Sequence, residues 1–364
     1  MALSTIGTNQ VADQVLTHRN LIINGGMTIS QRSVSSTANG YGSLDRYRIQ
    51  YSGAGVTHSQ ESLSSSDSPY SEGFRTALKL TNTSTSSATS AYVQVFQVIE
   101  SQNVAGSGWN YTSTSSSITF QFWAKSSLAG TYTTFLRTND GTAYLYSKDF
   151  TLVADTWKKI TCTVPGNSNL VFNNDSGAGL DLFVVPHYGT NFTTSGHTDD
   201  AWIAYSSSNI AGDYAQSWTN TSSATFFITG VQLEVGEQAT PFEHEDIGTT
   251  LRKCQRYYVR QTAAAAFSMW GAGFIYTTQQ AKINIAFPVE MRDVPSLGQS
   301  ANNTLDLFTG GGTPAFTQDA DINNPSTWAT NVTVYCGSGL TAGQGAVIMA
   351  NNSVGAYLEF KAEL

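Results

Sequence analysis

The sequence predicts an all-β fold: a large antiparallel β-sandwich and a smaller C-terminal β domain, joined by one short helix. Apolar residues recur with period two in run after run, the mark of strands with one face in a core. No segment before Asp246 sustains a helical period. Charged residues make up only 12% of the 364, about half the usual share, so hydroxyls and amides must solvate the surface. Thr tolerates strands, and Ser, Asn and Gly make turns, which suits an all-β surface of this kind. At this length two cores are expected rather than one.

The elements follow in order. Residues 1–19 are polar with few apolar anchors, and such a leader frays unless something holds it; it is a candidate attachment arm. A short apolar run, 21–23, ends at the turn signal Asn24-Gly25-Gly26. Asp45 beside Arg46 reads as a tether at the start of a strand. In SITFQFW, Ile118, Phe120 and Phe122 share one face and Thr119, Gln121 and Trp123 the other. WKKITCTV sends Ile160, Cys162 and Val164 inward, which makes Cys162 a core filler. The apolar run 182–185, ended by Pro186, reads as a strand covered on both faces. The closing strand sets Phe227, Thr229, Val231, Leu233 and Val235 against Ile228, Gly230, Gln232 and Glu234. The first domain therefore spans 20–245.

A linker helix is expected over 246–258. Ile247, Leu251, Cys254 and Tyr258 fall at helical spacing, Thr249 or Thr250 can cap its start, and Arg252, Lys253 and Arg256 crowd its end. Alternation resumes in the C-terminal domain, 259–364. Ile283, Ile285 and Phe287 oppose Lys282, Asn284 and Ala286, and Ala356, Leu358 and Phe360 oppose Tyr357, Glu359 and Lys361. A Gly-rich turn at 310–312 and strand-like runs at 332–336 and 346–350 lie between them.

Charge and cysteine usage exclude several functions. With 18 basic and 26 acidic residues, a net charge of -8 and no basic cluster, the chain lacks the stripe that nucleic-acid binding needs. No apolar run reaches the length of a membrane span, and the N-terminus lacks a signal-peptide pattern. Cys162, Cys254 and Cys336 are widely spaced and odd in number, so neither a zinc site nor a disulfide framework is indicated. No GxSxG elbow occurs, and the histidines lack metal or triad spacing. Glycan hydrolysis needs two carboxylates facing each other at about 5 to 10 Å. Asp175, Asp181, Asp199, Asp200 and Asp213 are scattered loop candidates only, so the expectation is a protein that is not an enzyme.

The aromatic supply carries the binding argument. Sugars stack their C–H faces on rings while amides and carboxylates take their hydroxyls. Segment 187–218 mixes rings with acidic and amide groups, and Tyr188, Asp199, Asp200, Trp202, Tyr205, Asp213 and Trp218 are the candidate glycan contacts. The competing reading places these rings in a core or between subunits.

The junction GVQLEVGEQATPFEHEDIGTTLRKCQRYY (230–258) resembles one that recurs in bacteriophage tail-fibre and related virion adhesin proteins. The resemblance extends to RNLIINGGMTISQR (19–32), YGSLDRYRI (41–49), FPVEMRDVPSL (287–297) and the terminal YLEFKAEL. It implies a virion protein assembled in the host cytoplasm, most like a tail-fibre subunit. Such a subunit would be a homotrimer, attached to other tail or virion proteins by residues 1–19 and binding host surface polysaccharide. A capsid fibre or decoration protein is the alternative, and a glycan depolymerase ranks last. The first domain resembles the jelly-roll form of many carbohydrate-binding modules, in which the opening and closing strands flank a structural calcium ion. On that resemblance Asn24 and Glu234 are the calcium candidates, although Gly26 stands where an acidic residue would help. No other cofactor is implied.

Overall fold

The computed structural model describes residues 19–214 and 216–364, so all but the last residue of the candidate attachment arm lies outside the described residues. The chain divides into two compact units, Met1–Thr250 and Leu251–Leu364. The first holds strands β1 (Ser35–Ser36), β2 (Arg48–Ser52), β3 (Gly55–Ser62), β4 (Thr76–Ser84) and β5 (Tyr92–Glu100), then a helical turn α1 (Ser101–Ala105). Strands β6 (Ser117–Ser126), β7 (Gly130–Thr138), β8 (Tyr144–Leu152), β9 (Lys158–Pro165), β10 (Ala178–Tyr188), β11 (Trp202–Ala204) and β12 (Thr225–Val235) complete it. They form two six-stranded antiparallel sheets, β1-β3-β4-β12-β6-β9 and β11-β8-β7-β10-β5-β2, and the unit is a jelly-roll β-sandwich.

The inner faces meet in one core. The alternation predicted for β6 and β9 puts Ile118, Phe120, Phe122, Ile160, Cys162 and Val164 there, facing Leu136, Tyr146, Leu182 and Val95 of the other sheet. Burial pushes the Cys162 thiol up to about 12, so it stays an unreactive filler. Arg46 is buried with φ +71° and donates through Nη2 to Val98 O at 2.7 Å, a tether into β5.

Two strands depart from their predicted pattern, both through bulges. The pairing of β12 with β6 shifts between Thr229 and Gln232, where Gly230 takes φ +66°. Phe226 and Ile228 before the bulge and Val231 and Leu233 after it therefore all enter the core. Phe227 turns outward against Trp157, in a small cluster with Phe74. A strict period of two cannot survive one extra residue. Likewise β10 does not stop at Pro186. Its register with β5 shifts between Val184 and His187, and the bulge accommodates the residue that has no N–H to offer the ladder.

Helix α2 (Ile247–Gln255) carries Leu251 and Cys254. Its cap is Asp246, whose Oδ1 accepts from Thr249 N at 3.0 Å, instead of either threonine. A carboxylate that reaches the third backbone N–H is a stronger cap than a hydroxyl inside the first turn. Tyr258 is not helical; it opens β13 (Tyr258–Thr262) and hydrogen bonds Glu359 at 2.5 Å. The second unit continues with β14 (Met269–Ile275), β15 (Gln280–Ala286), β16 (Ser296–Gln299), β17 (Leu305–Thr309), β18 (Asp321–Asn323), β19 (Ala329–Tyr335), β20 (Gly345–Ala350) and β21 (Tyr357–Lys361). Sheets β13-β21-β16 and β17-β20-β14-β15-β19-β18 enclose a core in which Val259, Leu358 and Phe360 meet Ile283, Val332 and Ile348. Among the described residues no helix is long and apolar enough to cross a membrane.

The bulge in β12 can be tested directly. A Cβ on Gly230 would stand 2.7 Å from the Phe74 ring and be held at positive φ. Gly230→Ala should therefore cost roughly 1–3 kcal/mol in urea unfolding of the intact chain. An unchanged midpoint would remove the bulge from this account.

Candidate functional site

The outer face of the second sheet carries an apolar row among polar side chains. There Phe96 of β5, Phe183 of β10 and Phe135 of β7 stand side by side across three neighbouring strands. Their centroids are 4.3 Å apart at each step and their planes lie within 18° and 15° of parallel. Register imposes the row, because Phe183 is the pairing partner of both Phe96 and Phe135. Such a face needs cover from water, and residues from the connection that follows β10 lie over it. One region stays open, a cleft of about 190 Å³ over Phe135 and Phe183, rimmed by Tyr92, Gln94, Arg137, Phe192, Tyr205 and Ile210.

The polar groups of the cleft are held in place. The Arg137 guanidinium lies 5.2 Å over Phe183 and 5.5 Å from the Tyr205 ring. Its Nε and Nη2 donate to Asp181 Oδ2 at 3.0 and 2.6 Å. Burial pushes the Asp181 carboxyl up, and Arg137 pulls it back; a carboxylate oxygen accepting two guanidinium protons is the ionised form. The Tyr188 hydroxyl donates to Gln94 Oε1, and Gln94 Nε2 donates to Gln50 Oε1 at 2.8 Å. No Asp or Glu is among the residues lining the cleft.

A second network fastens the covering segment to β8. Ser147 Oγ lies 2.6 Å from His197 Nε2 and donates to Asp199 Oδ1 at 2.7 Å, while His197 Nδ1 lies 2.8 Å from Asn209 Oδ1. With the serine proton on Asp199 and a carbonyl oxygen facing Nδ1, both ring nitrogens donate, which is the imidazolium form. Burial pushes His197 down, but Asp199 and Asn209 outweigh it and leave the ring above its ordinary value. Burial also works against Asp199, yet bonds from His197 and Ser147 hold it below its ordinary value. Asp149 is pushed up, by burial first and by the nearby Asp199 as well. The fold has thus built a serine–histidine–asparagine array that the sequence spacing excluded. Ser147 is only 1% exposed and its proton is directed to Asp199, so the array has no access to a substrate and acts as a clasp.

The candidate contacts separate. Tyr205 rims the cleft, and Tyr188, though buried, walls it. Asp199 belongs to the clasp, and Asp200 pairs with Lys148 at 2.6 Å. Trp202 packs on Tyr146 and donates to Pro165 O at 2.7 Å, so its ring borders the core. Trp218 has no exposed surface and is core itself; it is not a contact. Asp213 is exposed and away from the cleft, accepting from Thr193 Oγ1 at 2.7 Å. Sequence reasoning missed Tyr92, Gln94, Arg137 and Phe192. The alternation of Tyr92, Gln94 and Phe96 on one face of β5 was the available signal.

The calcium candidates are already occupied. Asn24 Oδ1 accepts from Thr28 N and Ile29 N, each at 2.9 Å, and its Nδ2 donates to Ile29 O and Asp45 O. Glu234 pairs with Arg19 at 3.3 Å and accepts from Gln232 and Thr240. Among the described residues no group of three His, Cys, Asp or Glu could hold a metal ion. These two ends of the sandwich are satisfied by protein donors, which leaves a cation no vacant oxygen from either side chain.

The sequence matches no protein-family profile and no curated protein. Solved structures that match include a putative sugar-binding protein from Bacteroides thetaiotaomicron, at 11% identity over 60% of this chain and 100% of that one, with TM-score 0.30. The N-terminal cellulose-binding domain of β-1,4-glucanase C from Cellulomonas fimi gives 11% identity over 45% and 80%, with TM-score 0.26. A cyclase from a Fischerella species gives 8% over 60% and 96%, with TM-score 0.34. Scores this low leave the argument to the chain's own geometry.

The clasp predicts a pH dependence. The folded value of His197 lies above the unfolded value near 6.5, so its contribution to stability is complete below about pH 6 and is lost as pH rises through the folded value. His197→Gln should therefore be less stable than the parent in urea at about pH 6, and the gap should narrow as pH rises through the folded value. A gap that does not change with pH would mean that the ring is neutral in the fold.

Proposed function

We propose that the chain is a non-catalytic glycan-binding protein and that the cleft beside the phenylalanine stack receives a sugar unit. The observation that carries this is the composition of the cleft itself. Tyr92, Phe192 and Tyr205 offer ring faces, while Gln94 and Arg137 offer hydrogen bonds from pre-set positions, the combination that a ring with an apolar face and a hydroxyl rim requires. The absence of a lining carboxylate supports binding over hydrolysis, which needs a pair of them.

The sequence blocks that resemble phage tail-fibre proteins support a place on a virion. On this reading the chain is a homotrimeric tail-fibre subunit, attached through residues 1–19, and several weak sites on one particle add up by avidity to firm attachment to host surface polysaccharide. The second unit offers an assembly apolar surface to bury: Met269, Phe274, Tyr276 and Phe308 are each between 45% and 59% exposed. The same patch suits a capsid fibre or decoration protein whose role is structural.

The test is binding of purified full-length protein to intact candidate host cells, with and without periodate oxidation of their surface sugars. Oxidation should abolish binding, and Tyr205→Ala should weaken it about tenfold, the loss of about 1.4 kcal/mol expected of one stacked ring. A folded protein that ignores the cells, or binds oxidised cells equally well, would move the assignment to a structural virion component.

A further inference from the structure

A second pocket, of about 220 Å³, opens where β10 leaves the sheet, between the β4–β5 connection and a wall that includes Asp213, Tyr214 and Ser217. Its frame is rigid. Gly189 N donates to Ala91 O at 2.7 Å and Asn191 N to Thr89 O at 3.0 Å. The two connections lie so close that a Cβ on Gly189 would stand 2.3 Å from Thr89 O. Only glycine admits this approach.

Three groups meet in this frame. His187 Nδ1 is buried and has no hydrogen-bond partner, an exception that calls for an explanation in a folded protein. Burial alone pushes its ring down to about 4, so near neutral pH the imidazole is uncharged and can exchange one hydrogen bond with a hydroxyl. The Tyr214 ring lies 5.8 Å from that of His187, tilted by 34°, and forms a wall of the pocket. Asp213 is exposed at the mouth, where Thr193 Oγ1 donates to its Oδ1 at 2.7 Å. None of these three lines the first cleft.

We propose that this pocket is a second, separate subsite for an uncharged sugar ring, with the C–H face of the sugar on Tyr214, one hydroxyl on the His187 imidazole and another on Asp213. The carboxylate at the mouth and the neutral imidazole select against acidic sugars, whereas the first cleft presents a guanidinium. The inference shares the glycan reading of the chain but stands on different residues. Two sites on one protomer would let a single copy hold two branches, or two units, of one polysaccharide.

The experiment is a titration of full-length protein, labelled at histidine, with methyl β-D-glucopyranoside, methyl β-D-galactopyranoside and methyl α-D-mannopyranoside, read at the imidazole resonances. At least one probe should shift His187 saturably. Asp213→Ala, an exposed change, should weaken that response about tenfold, the loss expected of one charge-assisted hydrogen bond, while Tyr205→Ala leaves it unchanged. No His187 response to any probe up to roughly 100 mM, well beyond the millimolar constants expected of a small sugar site, would overturn the proposal. So would a response that ignores Asp213→Ala or disappears with Tyr205→Ala. A His187 response without any effect of Tyr205→Ala on cell binding would retire the first cleft and keep this one.

Discussion

Three phenylalanine rings stacked across neighbouring strands set the terms for the first unit. Phe96, Phe183 and Phe135 form an apolar row on the outer face of the second sheet, and burying each ring is worth roughly 1.5–3 kcal/mol. The face therefore needs a lid, and the chain supplies one from the long connection after β10. A connection of that length with little secondary structure of its own is uncommon and usually functional. Too polar to be held by packing alone, it is fastened by the His197 clasp, by Lys148 to Asp200 and by Thr193 to Asp213. The cleft lies where the lid is incomplete.

The first sheet solves the same problem with rings, ion pairs and neutral groups together: on its outer side Lys125 pairs with Asp67 at 3.2 Å and Lys159 with Glu72 at 3.0 Å. Its outer face carries Ala77 and Phe227, which pack with Phe74 and Trp157. Farther along, Thr119 donates to Gly236 O at 2.7 Å and Gln121 to Thr240 O at 2.6 Å. Hydroxyls and amides can be buried under a loop at small cost once each finds a partner, whereas an unpaired charge cannot.

Sequence periodicity revealed those strands that carry no extra residue of their own. In β6, β9, β15 and β21 the residues assigned inward are in the cores, because a regular ladder preserves the period of two. It failed at β12, where one extra residue at Gly230 reverses the faces, and it ended β10 at Pro186, which a bulge lets the strand pass. For the site, local composition found Tyr205 but could not separate it from Trp218, which has equally polar neighbours and lies in the core. Tyr92, Gln94 and Arg137 come from strands far apart in the chain and meet only through the pairing of β5, β10 and β7. No local window contains that information. The same holds for Ser147, His197 and Asn209.

The ion pair in the cleft is hard to explain by stability. Asp181 is 1% exposed, and removing a carboxylate from water costs several kcal/mol that its attraction to Arg137 barely repays. Apolar residues at both positions would extend the ring stack at least as well. The charged pair instead fixes a guanidinium 5.2 Å over Phe183, with Tyr205 beside it at the rim of the cleft. Arginine suits this position because one planar group lies over a ring while two of its N–H groups donate to the same carboxylate oxygen, a fork that lysine lacks. Asp181 then serves as the anchor that aims Arg137, so the same pair that does little for stability gives the cleft a pre-organised donor for a hydroxylated ligand.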